Sequence, residues 1–251
     1  MRDHVIVLGV RVDAISKEAL TGEIGRIIDA NGHEYLANVN IHAVNIARSN
    51  CAYRSFVNAS TIVYCDGEGV RLGARLLGHR LPPRIVLTYW IWELSAFCEK
   101  RGYSIFLLGS TEENVQAAGK ELLKRFPGLK IAGMHHGFFR KEGAESDEVV
   151  RLVNAARPNV LFVCFGMPLQ EQWVERNLGG LTANVILFGG STIDYTAGKK
   201  KVAPRWICEV GLEWLYRLGQ EPGRLWKRYL IGNPAFMLAV IAQRLRPGKS
   251  Q

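Results

Sequence analysis

Short, continuous apolar runs alternate with helical segments along most of this 251-residue chain, and this alternation constrains its fold most strongly. Runs such as Val160–Cys164 and Val185–Phe188 lack the apolar–polar alternation of a strand with one solvated face. Uninterrupted apolar strands are typical of parallel sheets that helices cover on both faces. The sequence therefore predicts an α/β, Rossmann-like fold with a mostly parallel sheet, helices on both faces and a C-terminal helical appendage.

The positions of these runs predict the elements and two parts of the chain. Strands are predicted over Val5–Gly9, Glu34–Ala37, Thr61–Cys65, Ser104–Leu108, Lys130–Ala132, Val160–Cys164 and Val185–Phe188. Helices are predicted over Lys17–Ala30, Ile41–Asn50, Glu68–Leu77, Thr88–Lys100, Glu112–Phe126, Ser146–Ala156 and Gln170–Asn177. After Gly198 only helices are predicted, over Trp206–Leu218, Leu225–Tyr229 and Ala235–Leu245, with an interruption at Pro222-Gly223. We therefore expect an α/β core over residues 1–197 and an appendage over residues 198–251.

Formal charge is concentrated in the predicted appendage. Residues 198–251 contain 11 Lys and Arg against three Glu, whereas residues 1–197 contain 21 basic and 20 acidic residues. The appendage also contains three Trp and two Tyr. A near-neutral body with a basic, aromatic tail predicts a globular catalyst that works against an anionic surface or substrate.

Cysteine usage and hydropathy predict the compartment. The five cysteines form no C-x-x-C pair, which argues against disulfide or zinc frameworks and favours a reducing cytoplasm. The apolar N-terminal stretch is too short for a signal peptide, and no window reaches the roughly 18–20 apolar residues of a bilayer span. We expect a cytoplasmic protein that is soluble or peripherally associated with the cytoplasmic membrane.

Polar residues follow several predicted strands, where open α/β sheets bind their ligands. Asp66 directly follows the strand Thr61–Cys65 and is a candidate general base on a sugar hydroxyl; capping of the next helix is an equally weighted alternative. Gly109 and Ser110 present N–H groups and a hydroxyl to a phosphate at a strand-to-helix turn. Ordinary capping by Ser110 or Thr111 is the favoured interpretation of that weaker signal.

Other strand ends suggest contacts to a nucleotide. Gln170 can pair with an amide edge such as that of uracil. Asp194 can accept hydrogen bonds from ribose hydroxyls, with helix capping as the alternative. Phe138, beside Gly137, can offer an aromatic face to a base, although a buried Phe138-Phe139 pair is the more common arrangement. The chain has no D-x-D motif and no zinc-like histidine spacing, so neither a metal nor another cofactor is predicted.

The basic residues of the appendage have several interpretations. Arg217, Arg224, Lys227 and Arg228 are candidates to bind a diphosphate through charge-assisted hydrogen bonds. The run Phe236–Ala242 suits a lipid interface. A solvated basic helix face and a nucleic-acid site are alternatives. The density of Trp and Leu favours docking or lipid contact over nucleic acid.

Four motifs follow one another along the chain: C-D-G-E-G-V at 65–70, F-G-M-P-L-Q-E-Q-W at 165–173, G-G-S-T-I-D-Y-T-A-G at 189–198, and G-L-E-W-L-Y-R-L-G-Q-E-P-G-R-L at 211–225. In this order they resemble the motifs of the WecG/TagA/CpsF glycosyltransferases. The resemblance runs from about residue 5 to 245, and the last motif is the most distinctive. It implies an inverting, metal-independent transferase that moves a hexose from a UDP-sugar to a polyprenyl-diphosphate-linked sugar in cell-surface polysaccharide synthesis.

The resemblance also assigns roles to residues. Asp66 falls at the family's proposed base, Asn40 at an Asn near the acceptor, and Arg84 at an Arg that meets the donor diphosphate. Nucleotide-binding positions match Gln170, Asp194 and Gly137-Phe138, and basic appendage positions match Arg217, Arg224 and Lys227, with Arg228 adjacent. Family members are described as peripheral proteins of the inner leaflet, often trimeric, whose appendage completes the active site at the membrane.

The sequence departs from the family pattern around the expected sugar pocket. Asn38 and His42 replace a Thr and a Glu of the family's T-x-N-P-E stretch, and Leu87 and Tyr89 replace a Gly and an Asp after Arg84. Asn38 is therefore placed in the sugar pocket, and N-acetylmannosamine, its uronic acid and glucose are all open as the transferred hexose. A UDP-sugar-dependent transferase is the favoured hypothesis, and a non-catalytic, membrane-associated sugar-nucleotide scaffold is the alternative.

Overall fold

The computed structural model of the chain describes residues 2–204, 207–208 and 211–245. The strands are β1 His4–Val7, β2 Val10–Asp13, β3 Glu34–Val39, β4 Ile62–Cys65, β5 Ser104–Gly109, β6 Lys130–His135, β7 Val160–Cys164 and β8 Val185–Phe188. The helices are α1 Lys17–Asp29, α2 Ile41–Ser49, α3 Cys51–Ala59, α4 Glu68–Leu76, α5 Leu87–Arg101, α6 Glu112–Arg125, α7 Ala144–Ala156, α8 Leu169–Asn177, α9 Thr192–Thr196, α10 Glu213–Gln220, α11 Pro222–Trp226 and α12 Gly232–Leu245. A π-helical turn at Lys227–Ile231 joins α11 to α12.

Six strands form a parallel sheet in the order β4-β3-β8-β7-β5-β6. Successive residues of these strands bury their side chains in two separate apolar clusters, one on each face of the sheet. Trp173 and Phe56 belong to the cluster on one face, and Trp90 and Leu94 to the cluster on the other. The predicted α/β architecture with its mostly parallel sheet is confirmed.

Local sequence signals begin and end several helices at nearly the predicted bounds. The hydroxyl oxygen of Thr111 accepts a hydrogen bond from the backbone N–H of Asn114 at the start of α6, at 3.2 Å. Ser16 caps α1 in the same way. Gly102 ends α5 in the left-handed conformation, with φ at 71°. These residue types are the ones that satisfy the unpaired backbone groups of helix ends.

The prediction for the N-terminal strand is wrong in its partner. Val5–Gly9 was expected among the buried parallel strands, but β1 pairs antiparallel with β2 in a separate two-stranded hairpin. Leu8 and Gly9 form the turn, and both have positive φ, of 52° and 84°. Two central residues with positive φ fit the tight hairpin turns that match strand twist. Leu8 is an unusual residue at such a position, so the pair Leu8-Gly9 does not stand out as a turn in the sequence.

Other element predictions also need correction. Helix α3 was not predicted; Asn50 ends α2 and caps α3, since its side chain accepts a hydrogen bond from Tyr53 N–H at 3.0 Å. The helix predicted over Trp206–Leu218 is not continuous, because Gly211 has a φ of 77° and α10 begins at Glu213. Trp206 lies outside the described residues. Pro222 begins α11 rather than interrupting a helix, as suits its fixed φ at the first helical turn.

The last helix packs its apolar residues against the α/β part. Phe236 is 0% exposed in α12, and a Cβ atom at Gly73 of α4 would lie only 2.9 Å from its ring. The glycine therefore leaves the space that the Phe236 ring fills. Leu238, on the same helix, is 68% exposed. No helix in the described part of the chain is both long and apolar enough to cross a bilayer.

We expect Phe236→Ala to lower the free energy of unfolding by about 3–5 kcal/mol, because the truncation removes a buried ring and leaves a cavity beside Gly73. Urea unfolding followed by circular dichroism measures the change. Leu238→Ala is the matched control on the exposed side of the same helix, and its effect should stay within about 0.5 kcal/mol. Equal losses in the two variants would contradict the observed packing.

Candidate functional site

A cleft of about 1120 Å³ lies along the carboxyl edge of the parallel sheet. The segments that follow all six strands contribute to its wall. Its lining includes Asn40 after β3, Asp66 after β4, Ser110 after β5, Gly137 after β6, Gly166 after β7 and Gly190 after β8. Because parallel strands all end at the same edge, residues far apart in sequence meet there. Arg217, Arg224, Arg228 and Tyr229 close the cleft from the C-terminal segment.

A second cavity, of about 470 Å³, adjoins the cleft. Arg84, Leu72, Trp214 and Met237 line it, and it lies between α4, α10 and α12. Asp66 lines both cavities. The same is true of Asn40, His42, Val86, Arg217, Arg228 and Tyr229. A carboxylate is thus placed where two separate binding spaces meet.

Asn40 fixes one side of Asp66. The side-chain oxygen of Asn40 accepts hydrogen bonds from the backbone N–H groups of His42 and Ala43, at 3.0 and 3.2 Å. Because its oxygen caps α2, its NH₂ group must point the other way, and it donates to Oδ2 of Asp66 at 3.2 Å. Asp66 itself does not cap the following helix, since Gly67 occupies the N-cap of α4. The capping alternative for Asp66 is therefore not what the structure shows.

Burial and charge act on Asp66 in opposite directions. Desolvation raises the pKa of the Asp66 carboxyl, and the nearby Glu213 carboxylate raises it as well. Arg217, the hydrogen bond from Asn40 and Arg84 each lower the pKa of Asp66, but their sum does not cancel the effect of burial. The carboxylate therefore accepts a proton more readily than that of an exposed aspartate.

Glu213 is a site residue that sequence reasoning missed. It is 7% exposed at the first position of α10. Its Oε1 lies 2.7 Å from Nη2 of Arg217, and its Oε2 lies 2.8 Å from Nη2 of Arg84. Arg84 precedes α5, so this one carboxylate joins the C-terminal segment to the α/β part. Its place within the motif G-L-E-W-L-Y-R-L was the only available signal, because spacing alone does not reveal a pairing with Arg84.

Polar residues form a connected network at the other end of the cleft. Ser110 donates a hydrogen bond to Oδ1 of Asp194, and Asn114 donates to the same oxygen at 3.1 Å. Nζ of Lys200 lies 3.2 Å from Oδ2 of Asp194 and 2.7 Å from Oε1 of Glu221. Neither Ser110 nor Asp194 makes the capping bond that the sequence allowed. Lys200 and Asn114 were missed, since nothing in the sequence placed them beside Asp194.

Three predicted residues do not line either cavity. Gln170 is 0% exposed; its oxygen accepts from the N–H groups of Gly166 and Gly190, and its NH₂ donates to Glu171. Its amide edge is therefore occupied inside the protein, and it ties together two loops of the cleft instead of facing a base. Gly109 has a φ of 145°, and a Cβ there would lie 2.4 Å from the carbonyl oxygen of Cys164, so it permits close strand packing.

Lys227 is the third of these residues. Its Nζ lies 5.4 Å from the centre of the Trp226 ring, on the outside of the π-helical turn, and only the neighbouring Arg228 lines the cavities. Burial lowers the pKa of Arg228, whose side chain has no carboxylate within ion-pair distance among the described residues. Arg224, by contrast, pairs with Glu221.

Phe138 lines the cleft and is 73% exposed, so the expected buried phenylalanine pair is absent.

Three of the four departures from the family pattern line the same cleft. Asn38 is buried and is one of the residues that line the cleft, and its side-chain oxygen has no hydrogen-bond partner in the described structure. Leu87 and His42 also line it. Burial and the nearby Arg228 lower the pKa of His42 to about 4, so its imidazole is neutral at physiological pH. Tyr89 does not line the cleft, and its hydroxyl lies 3.0 Å from the sulfur of Cys208.

Within residues 2–204, 207–208 and 211–245, no group of three or more His, Cys, Asp or Glu side chains is arranged to hold a metal ion. The polar surface of the two cavities consists of amides, hydroxyls, carboxylates and basic side chains, and in the large cleft the basic side chains outnumber the carboxylates. Such a surface fits an anionic, hydroxyl-rich ligand.

Comparisons with known proteins show what the chain is similar to. A sequence model described as "Glycosyl transferase WecG/TagA/CpsF family" matches residues 5–250. A protein of Staphylococcus aureus named N-acetylglucosaminyldiphosphoundecaprenol N-acetyl-beta-D-mannosaminyltransferase is 28% identical, over 98% of this chain and 96% of the relative. A protein of Bacillus subtilis with the same name is 28% identical, over 92% of this chain and 85% of the relative.

We expect Arg217→Met to raise the pKa of Asp66 further, because the variant removes the strongest of the charges that lower it and leaves the Glu213 carboxylate nearby. Carbon-13 NMR titration of the aspartate carboxyls measures this change, and Asp66→Asn assigns the resonance. Arg224→Met is the matched control, since Arg224 pairs with Glu221 and is not among the groups that shift the pKa of Asp66. A lower pKa of Asp66 in Arg217→Met would contradict the charge arrangement described here.

Proposed function

Because the chain belongs to the WecG/TagA/CpsF family of glycosyl transferases, we propose that it transfers a hexose from a UDP-sugar to a polyprenyl-diphosphate-linked sugar. N-acetylmannosamine is the first candidate for the hexose, since the names of the relatives specify an N-acetylmannosaminyl group. The observation that carries the proposal is the position of Asp66, a carboxylate with a raised pKa at the junction of two cavities. One cavity is large, polar and basic enough for a sugar nucleotide, and the other adjoins it at the carboxylate.

In this proposal the donor occupies the large cleft and the acceptor sugar enters from the smaller cavity. The hydroxyl of the acceptor gives its proton to Asp66 as its oxygen attacks the anomeric carbon of the donor. The bond between that carbon and the diphosphate oxygen breaks on the opposite face, and its electron pair leaves with UDP. A single displacement of this kind inverts the anomeric configuration.

Basic side chains supply the charge that the leaving diphosphate needs. Arg217, Arg228 and Arg224 reach the cleft from the C-terminal segment, and Lys200 reaches it from the segment after α9. Guanidinium groups in a partly desolvated cleft stabilise negative charge that develops on phosphate oxygens. We therefore propose that the transfer proceeds without a metal ion, with arginines in the role that a divalent cation has elsewhere.

The nucleoside is proposed to lie at the far end of the cleft. Asp194, held by Ser110 and Asn114, is placed to accept hydrogen bonds from ribose hydroxyls. Phe138, exposed beside Gly137, offers a ring on which a base can stack. Gln170 supports the site indirectly, because its side-chain oxygen accepts hydrogen bonds that hold the loops at Gly166 and Gly190. Asn38 and His42 are proposed to contact a sugar, because both residues line the cleft and His42 also lines the smaller cavity beside Asp66.

Residues 198–251 are proposed to form the part that contacts the inner leaflet of the cytoplasmic membrane. Leu230, Ile231, Leu238 and Leu245 expose apolar side chains on this segment, with Lys227 nearby. Exposed apolar groups beside basic ones suit the surface of an anionic bilayer. Such contact would bring the cavities close to a lipid-linked acceptor. Assembly as a homotrimer is a further expectation, taken from the family.

A panel of UDP-sugars tested against a short-chain polyprenyl-diphosphate–N-acetylglucosamine examines the proposed function. Products are identified by mass spectrometry and their anomeric configuration by NMR. We expect transfer of one hexose with inversion, at a rate that EDTA does not change. Binding of UDP by a folded protein that transfers nothing from any donor would support the non-catalytic scaffold instead.

We expect Asp66→Asn to lower kcat by about 10²–10⁴-fold, because the amide cannot accept the proton of the attacking hydroxyl. Steady-state kinetics with the best donor of the panel measure the loss. Circular dichroism and UDP titration calorimetry serve as controls for the fold and for donor binding. Turnover near that of the wild type in a folded Asp66→Asn protein would rule out the base role.

We expect Arg228→Met to weaken UDP binding by about 10-fold or more, as befits the loss of ~1.5–3 kcal/mol from a hydrogen bond to a charged group. Lys227→Met is the matched control, because its ammonium group lies outside both cavities. Calorimetry in the absence of lipid measures both. A larger loss for Lys227→Met than for Arg228→Met would show that the cavities are wrongly assigned.

A further inference from the structure

Glu213 has an unusual position for a carboxylate close to a base. It is buried, and both of its oxygens contact guanidinium groups, those of Arg84 and Arg217. Arg84 also lies 4.0 Å from Glu68, which is half-exposed and pairs mainly with Arg71. Arg217 additionally has the Tyr195 ring beneath it, at 5.2 Å from its guanidinium carbon to the ring centre. The two arginines are therefore held chiefly by one acidic side chain.

Asp66 is the other acid that these arginines can reach. Its charged neighbours come from several elements: Arg84 before α5, Glu213 and Arg217 in α10, and Arg228 in the π-helical turn. Tyr64 and Cys65 of β4 are its titratable neighbours on the sheet side, and burial raises the pKa of each, so both stay neutral at physiological pH. Three guanidinium groups thus surround two carboxylates in one partly desolvated space.

Despite these neighbours, Asp66 makes no ion pair within 4 Å in the described structure. Among the described residues, the carboxylate of Asp66 accepts one hydrogen bond, from Asn40 to Oδ2, and its Oδ1 has no donor. In a partly buried space the attraction between a guanidinium group and a carboxylate is strong, so Arg84 and Arg217 would be drawn toward Asp66 if they lost Glu213. An aspartate paired with a guanidinium has less affinity for a proton and no oxygen free for a substrate hydroxyl.

We propose that Glu213 is a positioning residue. It holds Arg84 and Arg217 near Asp66 but beyond ion-pair distance, so that one oxygen of Asp66 stays free to accept a proton. The inference rests on the proposed role of Asp66 as base. Glu213 has a second effect in the same arrangement: it docks the C-terminal segment onto the α/β part while leaving both arginines at the edge of the cavities. When a diphosphate binds, the arginines can contact it and keep their ion pairs with Glu213, without changing position.

The test is the pKa of Asp66 in Glu213→Gln, measured by carbon-13 NMR titration of the full-length protein. Glutamine cannot pair with two guanidinium groups, so at least one arginine is released to Asp66, and a negative charge is lost nearby. We expect the pKa of Asp66 to fall, kcat to drop by at least about 10-fold, and the acidic limb of the pH–rate profile to move to lower pH.

A merely structural role for Glu213 has the opposite signature. If its loss only loosened the C-terminal segment, Arg217 would move away and the pKa of Asp66 would rise, as in Arg217→Met. An unchanged or raised pKa of Asp66 would therefore overturn the proposal. Glu221→Gln is the matched control, because Glu221 also pairs with two basic residues but does not act on Asp66. A fall of equal size in Glu221→Gln would overturn it as well.

Glu213→Asp provides a second variant in case Glu213→Gln does not fold. The shorter side chain keeps the charge but cannot reach both guanidinium groups, so we expect a smaller fall in the pKa of Asp66. No fall in a folded Glu213→Asp protein would overturn the proposal. The NMR comparison needs no turnover. If the wild-type protein transferred nothing, the proposed function would be ruled out. These pKa measurements would still test whether Glu213 keeps the two arginines away from Asp66.

Discussion

The burial of the central sheet on both faces is the constraint on which the rest of the structure depends. Residues within β7 and β8 point into one apolar cluster or the other, so these strands cannot carry polar side chains along their length. Polar groups are therefore confined to the strand ends. Because the six strands are parallel, their carboxyl ends lie along one edge, and the cleft forms there. The packing of the core therefore determines where the cleft lies.

The C-terminal segment is attached to this edge by two different kinds of contact. Phe236 and Val240 bury apolar surface against α2 and α4, and apolar burial of this kind contributes strongly to stability. Glu213 instead forms buried ion pairs, which are costly to desolvate and add little net stability. What such pairs do well is fix positions. The apolar contacts hold the segment on the protein, and the ion pairs set the positions of Arg217 and Arg84 relative to Asp66.

The helix-capping alternatives show that a local sequence pattern does not by itself distinguish a residue that caps a helix from one that lines the cleft. Asp66, Ser110 and Asp194 all stand where a capping residue is plausible, and none of them makes a capping bond. Gly67 and Thr111 stand at the N-caps instead, and Asn40 both caps α2 and reaches Asp66. Residues that could have satisfied a helix end locally are thus available for the cleft. Whether such a residue caps the helix or lines the cleft depends on the path of the backbone after the strand.

Periodicity located most strands and helices, because their apolar patterns are local. It failed for the β1–β2 hairpin, because the apolar run there includes the turn at Leu8-Gly9. It also failed for α3, because Asn50 was interpreted only as the end of α2. The candidate site was predictable at the strand ends, where position follows from topology. Gln170 and Lys227 were misplaced, because a motif gives the identity of a residue and not the direction of its side chain.

By itself, the sequence determined the α/β class, the family and the position of Asp66 after a buried strand, since apolar pattern and ordered motifs are properties of the chain in one dimension. The tertiary structure alone decided that Asp66 stands between two cavities and that Glu213 contacts both Arg84 and Arg217. It also decided that Arg228 faces inward while Lys227 faces outward. The reason is physical: the pKa of a carboxylate and the partners of a guanidinium depend on distances of a few ångströms between residues remote in sequence.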